Sequence, residues 1–381
     1  MRQLAVAIVV AALTACGGSR AAGGSGDTGR SNPASDGGSG SADGGGDTGT
    51  VGPPPTYSLT DLGRATPNFI DGRGRISGIV YSDCGSDAGL CGGAAYTPGS
   101  GWSLAPVPQG ARYVEVIATD SHGNLALNAR YPGPYRSTHP QAFLAPPLQP
   151  IPVSSANAQD LSQGSEILAM NGAGHIVGSF YNGTSSGSYL YDGAVTLINA
   201  AAPKDLSPFP SKALAINSRD QVVGWVNKLD DSYWVEHAFL WERGVLKDLG
   251  TVGGAGTEAT AINDSGVVAG WGGTSPYSGV SIIFRWDGEM HRLGCPPGTI
   301  HCEAYGINNR GDIVGEALIG VGQGSFAFIH RDGTFFRLDD LVQDAPGWRL
   351  DFAAFSINDS GQIVGLGSLN GASRGFLLIP R

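Results

Sequence analysis

Residues 262–270 read Ile-Asn-Asp-Ser-Gly-Val-Val-Ala-Gly, and this stretch decides the fold because it recurs along the chain. Clear copies occupy residues 216–224, 307–315 and 357–365; others lie at 170–178 and 70–78, and a degenerate one at 119–127. Each copy has Asn or Asp at its second position, at intervals of 45 to 51 residues. These residues are Asp71, Asp120, Asn171, Asn217, Asn263, Asn308 and Asn358.

Each copy predicts a tight β-hairpin. The Asn or Asp side chain can accept hydrogen bonds that close a turn, and a glycine three residues later can adopt positive φ. Six copies have this glycine, and the exception is Asp220. The glycines are Gly74, Gly123, Gly174, Gly266, Gly311 and Gly361.

The segments around each hairpin predict four strands per repeat. In the copy at 216–224, a small-residue strand (213–216) precedes the turn and a β-branched strand (221–224) follows it. A third apolar strand at 237–241 and a fourth at 245–250 complete the unit. Four short strands repeated seven times predict an all-β fold, a seven-bladed β-propeller, with the small-residue strands innermost.

The two ends of the repeat region predict how the ring closes. The last repeat stops after its third strand, at 375–379, whereas residues 57–63 form an extra strand that matches the fourth strand at 246–250. We therefore expect the N-terminal strand to complete the last blade of a propeller spanning residues 57–381. This arrangement removes exposed sheet edges.

The repeats resemble the HAF repeat family of bacterial extracellular proteins. The sequence His237-Ala238-Phe239, the Asn-x-x-Gly-x-Val-Val-Gly hairpins and the Asp-Leu-Gly-Thr-x-Gly-Gly stretch at 248–254 carry the resemblance. It covers residues 57–381 and is strongest over 211–270. The resemblance implies an extracytoplasmic propeller. The family has no established enzymatic activity, so the resemblance does not identify a reaction.

The N-terminus predicts an address in the cell envelope. Residues 1–15 begin with a positive charge, continue as an apolar run and end in Leu13-Thr14-Ala15 before Cys16. The apolar run is too short to span a bilayer as a helix, and its position fits a signal peptide. The last four residues resemble a bacterial lipobox, which implies lipid attachment at Cys16. In lipoproteins of this kind, a glycine after the cysteine, here Gly17, favours the outer membrane or cell surface over the inner membrane. The alternative to a lipoprotein signal is an ordinary secretory signal peptide.

Residues 16–56 predict a disordered linker between the anchor and the propeller. Fourteen of residues 17–56 are glycine, and none is aromatic. Such a segment cannot bury enough apolar surface to offset the entropy lost on folding.

Composition limits the function classes. Lys and Arg number 23 against 33 Asp and Glu, so the net charge is −10, and no basic cluster for nucleic acid is present. A hydrophobic fraction of 41% excludes a wholly disordered chain, while 61 glycines disfavour a helical bundle. We expect a monomer.

The cysteines after Cys16 form two closely spaced pairs, Cys84 with Cys91 and Cys295 with Cys302. In an oxidising compartment, two local disulfides are expected. Zinc bound by the second pair with His301 is the alternative, but structural zinc pairs usually have shorter spacing.

Chemical motifs are scarce, and no cofactor is predicted. The seven histidines show no metal-triad spacing; calcium would suit an acidic extracellular propeller, although no EF-hand-like spacing exists. Trp225 and Trp271 follow equivalent glycines and could form an aromatic ligand surface or pack between blades.

We therefore predict a lipid-anchored, non-catalytic module that binds a protein or glycan. The alternatives are a glycosidase or lyase with its site at the channel mouth, and a structural part of an envelope assembly.

Overall fold

The computed structural model describes nine stretches of the chain, and within them it forms 28 strands and one short helix. The described residues are 54–81, 92–131, 140–152, 164–181, 186–198, 206–230, 233–254, 256–275 and 280–381. The strands are β1 (Tyr57–Asp61), β2 (Ala65–Ile70), β3 (Ile76–Val80), β4 (Gly92–Thr97), β5 (Gly101–Leu104), β6 (Tyr113–Thr119), β7 (Leu125–Arg130), β8 (Pro140–Ala145), β9 (Gln149–Pro150), β10 (Ser165–Met170), β11 (Ile176–Tyr181), β12 (Ser186–Tyr191), β13 (Val195–Leu197) and β14 (Leu206–Ile216). They continue as β15 (Val222–Asp230), β16 (Tyr233–Glu242), β17 (Val245–Gly250), β18 (Thr257–Ile262), β19 (Val268–Gly273), β20 (Ser281–Trp286), β21 (Met290–Gly294), β22 (His301–Ile307), β23 (Ile313–Gly320), β24 (Gly324–Arg331), β25 (Thr334–Arg337), β26 (Trp348–Ile357), β27 (Ile363–Leu369) and β28 (Ala372–Pro380).

The strands form seven four-stranded antiparallel sheets, which confirms the predicted seven-bladed propeller. Blades one to six each use four consecutive strands, starting with β2, β6, β10, β14, β18 and β22. Blade seven has the order β26-β27-β28-β1. The hairpin pattern therefore predicts both the number of blades and the strand order within them.

The N-terminal strand completes the last blade, as its sequence predicts. β1 pairs antiparallel with β28, from Tyr57 opposite Pro380 to Asp61 opposite Phe376. Tyr57 is fully buried and packs in one apolar cluster with Leu350 and Leu378. The last blade therefore takes one strand from the opposite end of the folded region, which closes the ring.

The core lies between neighbouring blades rather than in one central mass. Val223 of blade four, for example, packs with Ala259 and Phe284 of blade five. Fully buried phenylalanines on the third strands of four blades fill these interfaces: Phe239, Phe284, Phe328 and Phe376. Each blade thus buries apolar side chains on its faces, which explains the continuous apolar runs in the repeats.

Two further features bear on the expectations above. Cys295 and Cys302 form a disulfide, with Cα atoms 5.7 Å apart, across the connection from blade five to blade six. Cys16, Cys84, Cys91 and the predicted linker up to residue 53 lie outside the described residues. The single helix described, α1 (Leu338–Leu341), has four residues, and no described helix is long and apolar enough to cross a bilayer.

Candidate functional site

The repeated Asn or Asp closes the turn between the first two strands of its blade. In blade five, Asn263 Oδ1 accepts hydrogen bonds from the amides of Ser265 and Val267, both at 3.0 Å. Gly266 has φ +84° and donates its amide to the Asn263 carbonyl at 3.0 Å. Asp220 occupies the equivalent site in blade four, with φ 59°. The same role falls to Gly74, Gly123, Gly174, Gly311 and Gly361.

The asparagine amide nitrogens also link the blades, which the sequence reasoning missed. Asn263 Nδ2 donates to the backbone carbonyl of Asn308, at 3.1 Å in the next blade. Equivalent bonds join Asn171 to Asn217 (3.0 Å), Asn217 to Asn263 (2.9 Å), Asn308 to Asn358 (3.3 Å) and Asn358 to Asp71 (2.9 Å). The last of these crosses the point of ring closure. Aspartate can close the turn but has no amide donor, which explains why asparagine predominates.

At the two aspartate positions, other donors supply the link. The Arg75 guanidinium donates to the Asp120 carbonyl, and the Ser121 amide donates to the Gly172 carbonyl at 3.0 Å. Every blade is thus hydrogen-bonded to the next at the same level. The only sequence signal for this network is the preference for asparagine over aspartate.

Each innermost strand has a one-residue bulge three positions before the Asn or Asp. The bulged residues are Asn68, Ile117, Leu168, Leu214, Thr260, Tyr305 and Phe355. The bulge brings the inner strand so close to the second strand that a Cβ on Gly270 would overlap the Glu258 carbonyl. The final glycine of the motif faces the same restriction in six blades, and Leu127 replaces it in blade two. Bulges of this kind are common beside functional sites because they redirect side chains.

The position five residues before the Asn or Asp, on each innermost strand, is charged in five of the seven blades, and we call these five residues the charged ring. Its occupants, from blade one to blade seven, are Thr66, Glu115, Glu166, Lys212, Glu258, Glu303 and Ala353. The charged members are all half-buried. Four carboxylates therefore share this level with one lysine. A fixed offset from the repeat motif was the sequence signal that could have revealed them.

Two further carboxylates lie at blades four to six, near the ends of the innermost strands away from the Asn turns. Glu236 on β16 and Glu316 on β23 join Glu258 and Glu303 there. Burial, with the charges of Glu236 and Glu303, raises the pKa of Glu258 to about 7. Burial also raises the pKa values of Glu236 and Glu316, while Lys212 opposes the effect on Glu236. These groups are therefore held where their charged forms are disfavoured.

A hydrogen-bond network fixes the carboxylate of Glu303. His301 Nε2 lies 2.9 Å from Glu303 Oε1, and the Tyr305 hydroxyl donates to Glu303 Oε2 at 2.8 Å. The Tyr305 hydroxyl is also 3.4 Å from Glu316 Oε2, but it has only one proton to donate. On the other side of the imidazole, Ser281 Oγ lies 2.7 Å from His301 Nδ1.

The Ser281–His301–Glu303 sequence of contacts resembles a nucleophile with its base, but its surroundings do not suit that role. Ser281 is only 3% exposed. Its hydroxyl also bonds the Cys302 carbonyl at 2.9 Å and accepts from the Cys302 amide at 3.3 Å. The network therefore joins blades five and six and orients Glu303.

The two candidate tryptophans differ in their surroundings. Trp271 is buried, and its ring meets the His301 ring of blade six edge-on, with centroids 5.9 Å apart. Its geometry is that of packing between blades. Trp225 is half-buried on β15. In the strand register Trp225 lies opposite Lys212 and Trp271 lies opposite Glu258, so both tryptophans lie beside the charged ring.

His237 of the His-Ala-Phe sequence has a structural partner. Its Nδ1 lies 2.9 Å from Asp248 Oδ1, and Lys228 Nζ lies 3.0 Å from Asp248 Oδ2. Burial alone would raise the pKa of Asp248, but hydrogen bonds from His237, the Gly250 amide and Lys228 lower it to about 2. Two of the three sequence features that carry the family resemblance, His-Ala-Phe and Asp-Leu-Gly, thus meet in one ion-pair network that joins the outer strands.

Other features of the described residues lie away from the channel. A cavity of about 410 Å³ on the outer side of blade six is lined by Pro296, Phe326, Phe335 and Arg337, among others. It contains none of the channel carboxylates. Within the described stretches, no group of three or more His, Cys, Asp or Glu side chains is placed to hold a metal ion.

Comparison with known proteins shows the fold and not the family. No family model matches the chain, and no curated protein matches it. Among solved structures, it is similar to the β-propeller domain of the Trilobed protease from Pyrococcus furiosus, described as having an open velcro topology. The TM-score is 0.50 at 11% identity, covering 85% of this chain and 95% of that one. Pyrococcus horikoshii acylaminoacyl peptidase matches with a TM-score of 0.48 at 13% identity, over 82% of this chain and 49% of that one.

Proposed function

We propose that this chain is a lipid-anchored, extracytoplasmic and non-catalytic binding module, with its ligand site at the channel mouth formed by blades four to six. The observation that carries the proposal is the position of Glu258. It is half-buried beside Glu236 and Glu303, where burial and like charge raise its pKa to about 7. Groups held in such unfavourable surroundings are concentrated at functional sites.

The sequence supports the proposed location. Cys16 ends a lipobox-like segment, and the Gly-rich linker that follows leads directly into β1. Such a linker would let the propeller reach about 35 Å from its anchor, on the scaling of a flexible 40-residue coil. The resemblance to the HAF repeat family supports an extracytoplasmic position, and Gly17 after Cys16 favours the outer membrane or cell surface.

A binding screen tests the proposal. The full-length chain should be presented to arrays of glycans, envelope polymers and peptides, and bound material should be recovered unchanged. Binding of one class, without chemical change to it, is the expected result. A chain that binds none of these materials, or that converts its ligand to product, contradicts the proposed role.

The second candidate is a carbohydrate-active enzyme at the same mouth, because Glu258 has properties of a general acid. Glycoside hydrolysis commonly uses one carboxyl group that keeps its proton near neutral pH and a second that is ionised. Glu258, with Glu236 and Glu303 close enough to affect its pKa, meets the first requirement. Turnover of chromogenic glycosides by the wild type, lost in Glu258→Gln but kept in Glu289→Gln, would favour this candidate.

A further inference from the structure

The hairpin between β15 and β16 presents an exposed apolar pair. Leu229 and Trp234 are 50% and 55% exposed, and the register places them directly opposite each other. Their side chains therefore share one face of the hairpin. The two strands have nine and ten residues, against six in each equivalent strand of blade five. A large aromatic side chain exposed to this degree, beside a second apolar one, is typical of an interaction surface.

This apolar pair is continuous with the acidic channel mouth. Glu236 lies two residues after Trp234 on the same strand, so both side chains point to the same face. Glu236 also forms a bridge with Gly256 of blade five, and a Cβ on Gly256 would lie 3.1 Å from Glu236 Oε2. Glu258 follows two residues later. One surface therefore runs from the hairpin, through Glu236, to the carboxylates of blades five and six.

Charge determines which partner suits this surface. Glu236, Glu258, Glu303 and Glu316 share this part of the surface with one lysine, Lys212. The whole chain carries a net charge of −10. An anionic bilayer would be repelled, whereas a cation would lower the mutual repulsion of the carboxylates. A cation can also be attracted to the face of an exposed indole ring.

We infer that this surface docks a cationic, apolar polypeptide segment. Its apolar side chains contact Leu229 and Trp234, and a lysine or arginine side chain reaches Glu236 and Glu258. This inference rests on the proposed function, because it names the partner class for the same mouth. A polypeptide fits better than a glycan because the apolar pair and the carboxylates require alternating apolar and cationic groups.

The test uses the full-length chain in nanodiscs of zwitterionic lipid, with empty nanodiscs as the blank. The probe is a fluorescent peptide of alternating arginine and leucine, measured by anisotropy. Two counterparts replace arginine with glutamate or leucine with serine. The first peptide should bind tightest, and Trp234→Ala should weaken it about tenfold or more, as for a central aromatic contact. Glu236→Gln should weaken it and reduce its dependence on salt.

Matched controls come from the other end of the same blade. Val245→Ala removes an apolar side chain that is 68% exposed, and Glu242→Gln neutralises a carboxylate at the far end of β16. Both should bind like the wild type. Equal affinity for the arginine and glutamate peptides, or wild-type affinity in Trp234→Ala, would overturn the inference. Unchanged thermal transitions in all variants exclude misfolding as the cause.

Two outcomes separate this inference from its premises. A glycan or polymer that binds the wild type and Trp234→Ala equally, with no peptide bound, overturns the inference and leaves the proposed function in place. Brominated lipid in the nanodisc should not quench the wild type more than Trp234→Phe. Stronger quenching of the wild type would place the hairpin in the bilayer and also overturn the inference.

Discussion

Replacing Glu258 by glutamine should stabilise the protein at alkaline pH and leave its stability unchanged in acid. Burial and neighbouring carboxylates raise the pKa of Glu258 to about 7. The unfolded chain should titrate near 4.3, and each pH unit of difference corresponds to about 1.4 kcal/mol. The charged form therefore costs the folded state about 4 kcal/mol, and glutamine removes that charge while keeping a similar shape.

The pH window follows from the direction of the change. Because the folded pKa exceeds the unfolded one, the folded state holds more protons between about pH 4.3 and 7, so stability falls as pH rises through this range. Glu258→Gln should thus match the wild type near pH 4 and exceed it by about 4 kcal/mol near pH 8. Since the carboxylates interact, part of the gain in stability will come from weaker charge repulsion on Glu236 and Glu303.

Urea unfolding of the full-length chain at both pH values measures the difference directly. An unchanged dependence on urea concentration would show that the variant alters stability rather than the extent of unfolding. Glu289→Gln is the matched control, because the Glu289 side chain is 82% exposed. A gain below about 1 kcal/mol near pH 8, or an equal gain at both pH values, would refute the reasoning.

Three further predictions concern the inter-blade asparagine bonds, the Asp248 ion-pair network and the lipid anchor. Asn263→Asp keeps the turn-closing oxygen but loses the amide donor to Asn308, so urea unfolding should show a loss of about 1–2 kcal/mol. Glu289→Gln, at a side chain that is 82% exposed, should change little. Asp248→Asn should lower the free energy of unfolding by about 2 kcal/mol near pH 7. Because the pKa of Asp248 is lowered to about 2, this loss should shrink as the pH falls from about 4 to 2. A loss that stays constant over this range would contradict the stabilising role of the Asp248 carboxylate. Labelled palmitate should enter the wild type but not Cys16→Ala, and equal labelling would exclude lipidation at Cys16.

Local patterns were sufficient to predict the fold. The Asn-x-x-Gly hairpin is determined by residues within one turn, so its repetition identifies seven blades and their strand order. The mismatch between the two ends, an extra strand at 57–63 and a missing one after 379, predicts the closure by β1. In both cases the information lies in short stretches whose backbone requirements are specific.

The candidate site was not predictable in the same way. Glu258 and Glu303 are 45 residues apart in the sequence, and they become neighbours only because consecutive inner strands lie side by side. Glu236 lies on β16 of blade four and comes close to them because its backbone forms a bridge with Gly256 of blade five. The inter-blade asparagine bonds also depend on contacts between distant parts of the sequence, since one asparagine side chain bonds to the turns of two different repeats. Aligning the repeats by their Asn would have identified the charged position, although not its burial.

A ligand site at the channel mouth is best tested by comparing ligand binding in two charge-neutralising variants. A material retained by the wild type in the glycan, polymer and peptide screen should be titrated against Glu303→Gln and Glu289→Gln. Glu303 lies in the network at the mouth, held by His301 and Tyr305, whereas Glu289 is exposed on the outer turn of blade five. We expect a loss of affinity of about tenfold or more for Glu303→Gln alone. Equal affinity in both variants would contradict a ligand site at the channel mouth.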